Sequence, residues 1–220
     1  MARKGVEEPM TADQAREFLR KGNARFVAGW PEHPRADADQ RRRTADQGQR
    51  PFAAVVSCSD SRVPVEILFD CGIGDVFVVR VAGNVCDINE IAAVEYVVEH
   101  LSVALVVVMG HSRCGAITAV ANGAVLHGNT LFLRDKIVPA ANAVRKEQPH
   151  LQGEALIEEA IKANIWKGIE DLLGSSLDIR QLVRASPLSV EGAYYDLVSG
   201  KVDWLGRHPR MSEVLDGYSR

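Results

Sequence analysis

Three stretches of the chain are apolar without interruption. Phe52-Ala53-Ala54-Val55-Val56, Val76-Phe77-Val78-Val79 and Ala104-Leu105-Val106-Val107-Val108-Met109 are short, rich in β-branched residues and bounded by polar or turn-forming residues. Strands covered on both faces have this pattern, because neither side of the pleat meets water. Elsewhere the apolar residues recur at helical spacing. Thr11-Ala12-Asp13-Gln14 is a capping box followed by Ala15, Phe18, Leu19, Phe26 and Val27, which predicts a helix over 12–28. Either its own sheet or a neighbouring subunit must cover that stripe. The polar stretch 29–51 predicts a loop with one short helix near 38–48. Asp87-Ile88-Asn89-Glu90 is a second capping box, opening a helix with Ile91, Val94, Val98 and Leu101 on one face. A helix carrying Cys114, Ile117 and Val120 follows the third strand. Two more are predicted over 128–147 and 152–173, and a short one from Ser176 to about 184. Residues 188–198 are extended, and Ser199-Gly200 turns them into a hairpin with Lys201-Val202-Asp203-Trp204.

The order β-β-α-β-α, with near-continuous apolar strands, predicts an α/β fold: a mainly parallel sheet flanked by helices. The terminal hairpin adds an antiparallel edge. The chain reads as a single domain, with an N-terminal helical arm over 1–50 and a core over 51–220.

Composition narrows the function. The chain is 46% hydrophobic and 25% charged, enough for a sizeable core, and its net charge of -3 gives no reason to expect nucleic acid or an anionic membrane as partner. Arg41-Arg42-Arg43 reads as a solvated helix face or ion pairs. No run approaches the ~18 apolar residues of a membrane span. Met1 to Glu8 lack the apolar centre of a secretory signal. Four cysteines in 220 residues are no disulfide framework. Together these suggest the cytoplasm, or the periplasm if a leader was removed.

Chemistry gathers after two of the strands, in Cys58-Ser59-Asp60-Ser61-Arg62 and His111-Ser112-Arg113-Cys114-Gly115. Ligands of open α/β sheets bind beyond the carboxyl ends of strands. Two thiols and an imidazole there are a zinc ligand set that leaves a fourth position free. His111 and Cys114 are three apart, a spacing that points both side chains one way at a helix entrance. Asp60 is either a fourth ligand or the hydrogen-bond partner of metal-bound water, with Arg62 holding it ionised. The plainer alternative is a turn-stabilising Asp beside a surface Arg. Cys71 and Cys86 read as core or loop thiols. His100, His127, His150 and His208 read as surface or capped residues.

The two motifs, extended to Val63 and from Gly110 to Ala116, resemble the signature pair of the β-class carbonic anhydrases, and the resemblance runs from Thr11 to the C-terminal hairpin. It implies a four- or five-stranded sheet and a zinc enzyme that interconverts carbon dioxide and bicarbonate by means of zinc-bound hydroxide. It also implies a homodimer whose N-terminal helix embraces the partner, often paired into a tetramer. Carried over, the zinc ligands are Cys58, His111 and Cys114, and the dyad beside the metal is Asp60 and Arg62. Gln49 hydrogen-bonds substrate. Phe77, Ala82 and Tyr96 line the apolar pocket, to which the neighbouring subunit contributes. One departure stands out. Some members have a non-catalytic bicarbonate site of Trp, Arg and Tyr, matched by Arg80 and Tyr195, but Val55 stands in the Trp position. The expectation is an open form at neutral pH, with Asp60 on Arg62. The competing readings are a carbon disulfide or carbonyl sulfide hydrolase on the same scaffold, and a non-enzymatic zinc-stabilised or redox-sensing module.

Overall fold

A computed structural model describes residues 9–217. The segment Met1 to Glu8, read above as no signal, lies outside them. The helical arm comprises α1 (Ala12–Ala28) and α2 (Ala38–Gln47), followed by β1 (Ala53–Ser57) and a short α3 (Val65–Leu68). Next come β2 (Val76–Arg80), a 3-10 turn (Ala82–Asn84), α4 (Ile88–Leu101) and β3 (Leu105–His111). Then follow α5 (Gly115–Ala121), α6 (Thr130–Glu147), α7 (Gly153–Ser175) and α8 (Leu177–Arg184). The chain closes with β4 (Ser189–Tyr195), β5 (Val202–Arg207) and α9 (Met211–Gly217). The sheet has five strands in the order β2-β1-β3-β4-β5. All neighbours are parallel except β4 and β5.

The uninterrupted apolar strands mean what their pattern implies: both faces are covered. Ala54 and Val56 of β1 look into a core built with α4, α5 and α7, whereas Ala53 and Val55 look into a second core under α1 and α3. Both capping boxes form, at Thr11 with Gln14 and at Asp87 with Glu90.

Of the two placements open to the arm, the structure has the one on its own sheet. Ala15 and Leu19 are fully buried in the second core. Asn23 ties the helix down: its Nδ2 donates to the carbonyls of Leu68 (3.1 Å) and Gly200 (2.9 Å), and its Oδ1 accepts from Val202 N (3.0 Å). Beyond the helix, the buried Asp70 accepts from Arg25 Nε (2.6 Å) and from the backbone of Glu32 and His33 (2.9 Å each). Gly22 is where α1 comes nearest the turn after α3. A Cβ there would stand 1.8 Å from the Phe69 carbonyl oxygen. Gly22→Ala is therefore expected to lift the helix and cost about 3 kcal/mol, the upper end of overpacking, or roughly 6–12 °C in Tm. An unchanged melting curve would mean that α1 does not rest there.

The structure corrects one expectation, decides a second and adds to the rest. The hairpin turn is longer than a Ser199-Gly200 pair: it runs from Asp196 to Lys201, with Asp196 Oδ1 accepting from Ser199 N at 2.7 Å. Of the two readings open for His208, surface or capped, the structure has the second: it is buried, its Nδ1 accepts from Arg210 N at 3.1 Å, and its ring lies edge-on to Trp166 and 3.4 Å from Glu170 Oε1. Finally, α3 and α9 have no counterpart in the periodicity. As expected, Arg42 and Arg43 lie on a solvated face of α2, beside Asp39 and Gln40. Among the described residues no helix is long and apolar enough to cross a membrane.

Candidate metal centre

Parallel strands put their carboxyl ends side by side, and the sheet does this for both motifs. β1 and β3 are neighbours, with Ser57 in register with Met109. Cys58 leaves β1 at the level where β3 is about to end in His111. The His111–Cys114 spacing works differently from the helical reading. His111 is the last residue of β3, and Cys114 is the N-cap of α5. A tight turn brings them together, with Arg113 in the left-handed region at φ 56°.

Cys58, His111 and Cys114 are all buried, and their ligand atoms lie within 4.8 Å of one another. The sulfurs are 4.0 Å apart. Two sulfurs on a tetrahedral zinc at about 2.3 Å would stand about 3.8 Å apart. His111 Nδ1 donates to the Ser112 carbonyl at 2.9 Å, since a carbonyl can only accept. That fixes the tautomer and leaves Nε2 with a lone pair, fully buried and without a partner. An orphaned buried nitrogen facing two thiols is what a metal ligand looks like before its metal.

The thiols share their protons unequally. A hydrogen bond from Cys114 pulls the Cys58 thiol well below its ordinary pKa against the effect of burial, and the backbone amides of Gly83 and Asp60 add to this. Cys114 is pushed up, first by that same bond and then by burial and the Cys58 charge. One proton leaves readily and the second is held. A dication resolves the conflict by deprotonating both. The donor set fits zinc.

Asp60 stands beside this trio without joining it. Arg62 forks onto it, Nε to Oδ1 at 2.9 Å and Nη2 to Oδ2 at 2.7 Å, and Arg62 N donates to Oδ1 at 2.9 Å. Chiefly through the Arg62 side chain, the carboxyl is held well below its ordinary range and is ionised. Its Oδ2 is 4.0 Å from His111 Nε2. Arg80, at the end of β2, donates to the carbonyls of Cys58 (3.2 Å) and Asp60 (2.6 Å). It shapes the loop that carries both groups, a role the sequence did not reveal.

A comparison with known proteins gives this geometry its family. The carbonic anhydrase family model matches residues 53–202. The chain belongs to the β-class carbonic anhydrases. The carbonic anhydrase of Mycolicibacterium smegmatis is 39% identical, over 84% of this chain and 89% of that one. Carbonic anhydrase 2 of Mycobacterium tuberculosis is 36% identical, over 83% and 87%. The β-carbonic anhydrase CafA of Aspergillus fumigatus superposes with a TM-score of 0.74 at 28% identity, over 89% of this chain and 92% of that one. Tetrameric β-carbonic anhydrases of Sordaria macrospora superpose at 0.70 and 27%, over 88% and 98%.

The remaining residues expected around the site of a β-class carbonic anhydrase are divided by the fold. Ala82 opens the 3-10 turn beside Cys58 and is half-buried. Phe77 pairs with Ala54 near the amino end of β1, about 13 Å along the strand from Cys58. Its ring centroid is 6.3 Å from that of the half-exposed Tyr96. The exposed Gln49 precedes β1 altogether. One chain thus carries its metal donors and these three residues at opposite ends of the same strands. Cys71 and Cys86 match the expected core and loop thiols, each pushed up to about 12 by burial. A cleft of about 590 Å³ between α1 and β5 includes none of the metal donors.

Proposed function

We propose that the chain catalyses the reversible hydration of carbon dioxide to bicarbonate and a proton at a zinc ion held by Cys58, His111 and Cys114. The carrying observation is a buried trio of donors with an ionised carboxylate locked next to it by an arginine fork. A purely structural zinc site takes four protein ligands and has no use for such a dyad. When bound, zinc acts as a Lewis acid that turns water into a nucleophile at neutral pH, an effect for which carbonic anhydrase is the reference case.

The chain's own residues do the rest. Ionised Asp60 can only accept hydrogen bonds, so its Oδ2 fixes the O–H of the attacking oxygen and aims the lone pair at carbon. Arg62 keeps that oxygen from turning onto the metal. Cys58 and Cys114 bring two negative charges, which temper the acidity of the centre relative to a site of neutral imidazoles. Phe77, Ala82 and Tyr96 make a pocket suited to an uncharged gas. Parallel strands keep Gln49 and Phe77 away from the ligands of their own chain, so a second copy must deliver them. The reading therefore includes a homodimer, and pairing of dimers into a tetramer, the state of the Sordaria macrospora enzymes. It also includes an open site. Val55 stands where the bicarbonate-binding Trp would be, and Arg80 is engaged by loop carbonyls.

A stopped-flow hydration assay with zinc determination tests the proposal. The expected result is about one zinc per chain and a rate enhancement of roughly 10⁶-fold or more, lost on chelation and restored by zinc. Full zinc content without hydration would overturn it. Carbonyl sulfide and carbon disulfide, assayed in parallel, should be poorer substrates.

A further inference from the structure

Beyond its fellow ligands, the Cys58 sulfur accepts from two backbone amides, those of Gly83 and Asp60. The Gly83 amide donates to it over 3.3 Å. Gly83 sits inside the 3-10 turn with φ 76°. A side chain there would be strained in that left-handed conformation, and its Cβ would stand 2.9 Å from Ile137 Cδ1. A glycine in a turn would ordinarily be free to rotate its amide away from the sulfur.

Its other end is pinned. Asn164 Nδ2 donates to the Gly83 carbonyl at 2.8 Å. Asn164 lies midway along α7, only 2% exposed, between the fully buried Ile161 and Ile165 on the face that covers the sheet. A buried amide is costly unless it is bonded, and an aliphatic residue would serve packing there as well or better. One turn later, at Gly168, α7 rests on both β3 and the turn: a Cβ there would be tight against Val108 Cγ1 at 3.1 Å and in ordinary contact with the Asn84 carbonyl oxygen at 3.6 Å. Helix, glycine turn and ligand sulfur form one chain of contacts.

We propose that Asn164 is a positioning residue for the metal centre: it holds the Gly83 carbonyl, and thereby keeps the Gly83 amide donating to the Cys58 sulfur. The proposal rests on the zinc reading of Cys58, His111 and Cys114. An N–H···S bond orients the thiolate and withdraws charge from it. Groups that orient metal ligands from behind typically change metal affinity by one to two powers of ten.

The test uses metal binding and a spectrum rather than turnover. Asn164→Leu keeps the volume and removes the donor, and Asn164→Ala, which only deletes atoms, is the second variant should the first fold poorly. Zinc affinity is measured by competition with a chromogenic chelator, and the cobalt(II)-substituted protein supplies the thiolate-to-metal charge-transfer band. Both variants should bind zinc about tenfold or more weakly, and the band should move to longer wavelength as the sulfur regains charge. Ile165→Val, which loosens the next position of the same helix, should move neither. Parent-like affinity and band position in the Asn164 variants would overturn the proposal, and so would an equal shift in Ile165→Val, which would reduce the effect to packing. A parent chain that takes up no zinc would instead overturn the metal reading itself.

Discussion

Cys58→Ala is expected to purify without zinc and to melt like parent protein stripped by a chelator. The remaining donors, His111 and Cys114, lie on one short turn, and no other His, Cys, Asp or Glu completes the cluster among the described residues. Removing Cys58 relieves Cys114 of the hydrogen bond and the charge that push its thiol up, so the loss is that of a donor atom and not of acidity at the remaining thiol. Because metal binds the folded state, lost affinity appears as lost stability. A ligand at 1,000 times its Kd stabilises by about 4 kcal/mol, which for a chain of this size is roughly 8–16 °C in Tm. Metal analysis and paired melting curves check this. Chelator should lower the parent's Tm to that of the variant and leave the variant's unmoved. Full zinc content in Cys58→Ala would remove Cys58 from the ligand set.

The parts legible in the sequence were those with a local signature. Strands β1, β2 and β3 announce themselves because burial on both faces leaves no polar alternation, and α1 and α4 because each has a capping box ahead of an apolar stripe. The metal donors were legible because two motifs follow two such strands. Wherever tertiary contacts decide, the sequence was silent. Helix α3 is a single turn, too short for any period, and is held by burial of Val65 and Leu68 against the second core. Helix α9 buries only Val214. The environment of His208 comes from Trp166 and Glu170 on α7, remote in sequence. The His111–Cys114 relation was read as helical because three-residue spacing suits a helix, but it rests on the left-handed Arg113, which no spacing reveals. Asn164 did leave a trace, as a polar residue on the apolar face of α7, but its purpose emerges only when Gly83 is brought beneath it.

Strand direction also governs how the site must be completed. Everything preceding β1 or early in β2 is at one end of the sheet, and everything following β1 or β3 is at the other. A chain with Gln49 and Phe77 at the first end and its metal donors at the second cannot bring the two groups together by itself; under the proposed function, a second copy would supply the missing half, which is a reason for pairing independent of any apolar interface area.

Asp60→Asn is expected to keep its zinc and lose about 10²- to 10³-fold in kcat. All three hydrogen bonds that Asp60 receives from Arg62 come from donors. An asparagine brings an NH₂ group to one of them, so donor faces donor and the side chain must turn or move away from the fork. It also loses the charge that makes the group an acceptor across the assay range. The Arg62 fork holds the native carboxyl below the ordinary carboxylate range, so wild-type Asp60 stays ionised well into acid. The variant therefore loses the oxygen that fixes the O–H of the nucleophile, while the zinc ligands are untouched. Zinc analysis with stopped-flow kinetics reads both halves of the expectation. Unchanged kinetics would remove Asp60 from the reaction. A rise in rate would say something more specific: that the carboxylate had been blocking the metal at neutral pH, and that the open arrangement, in which Arg62 keeps Asp60 off the donors, is not the working form.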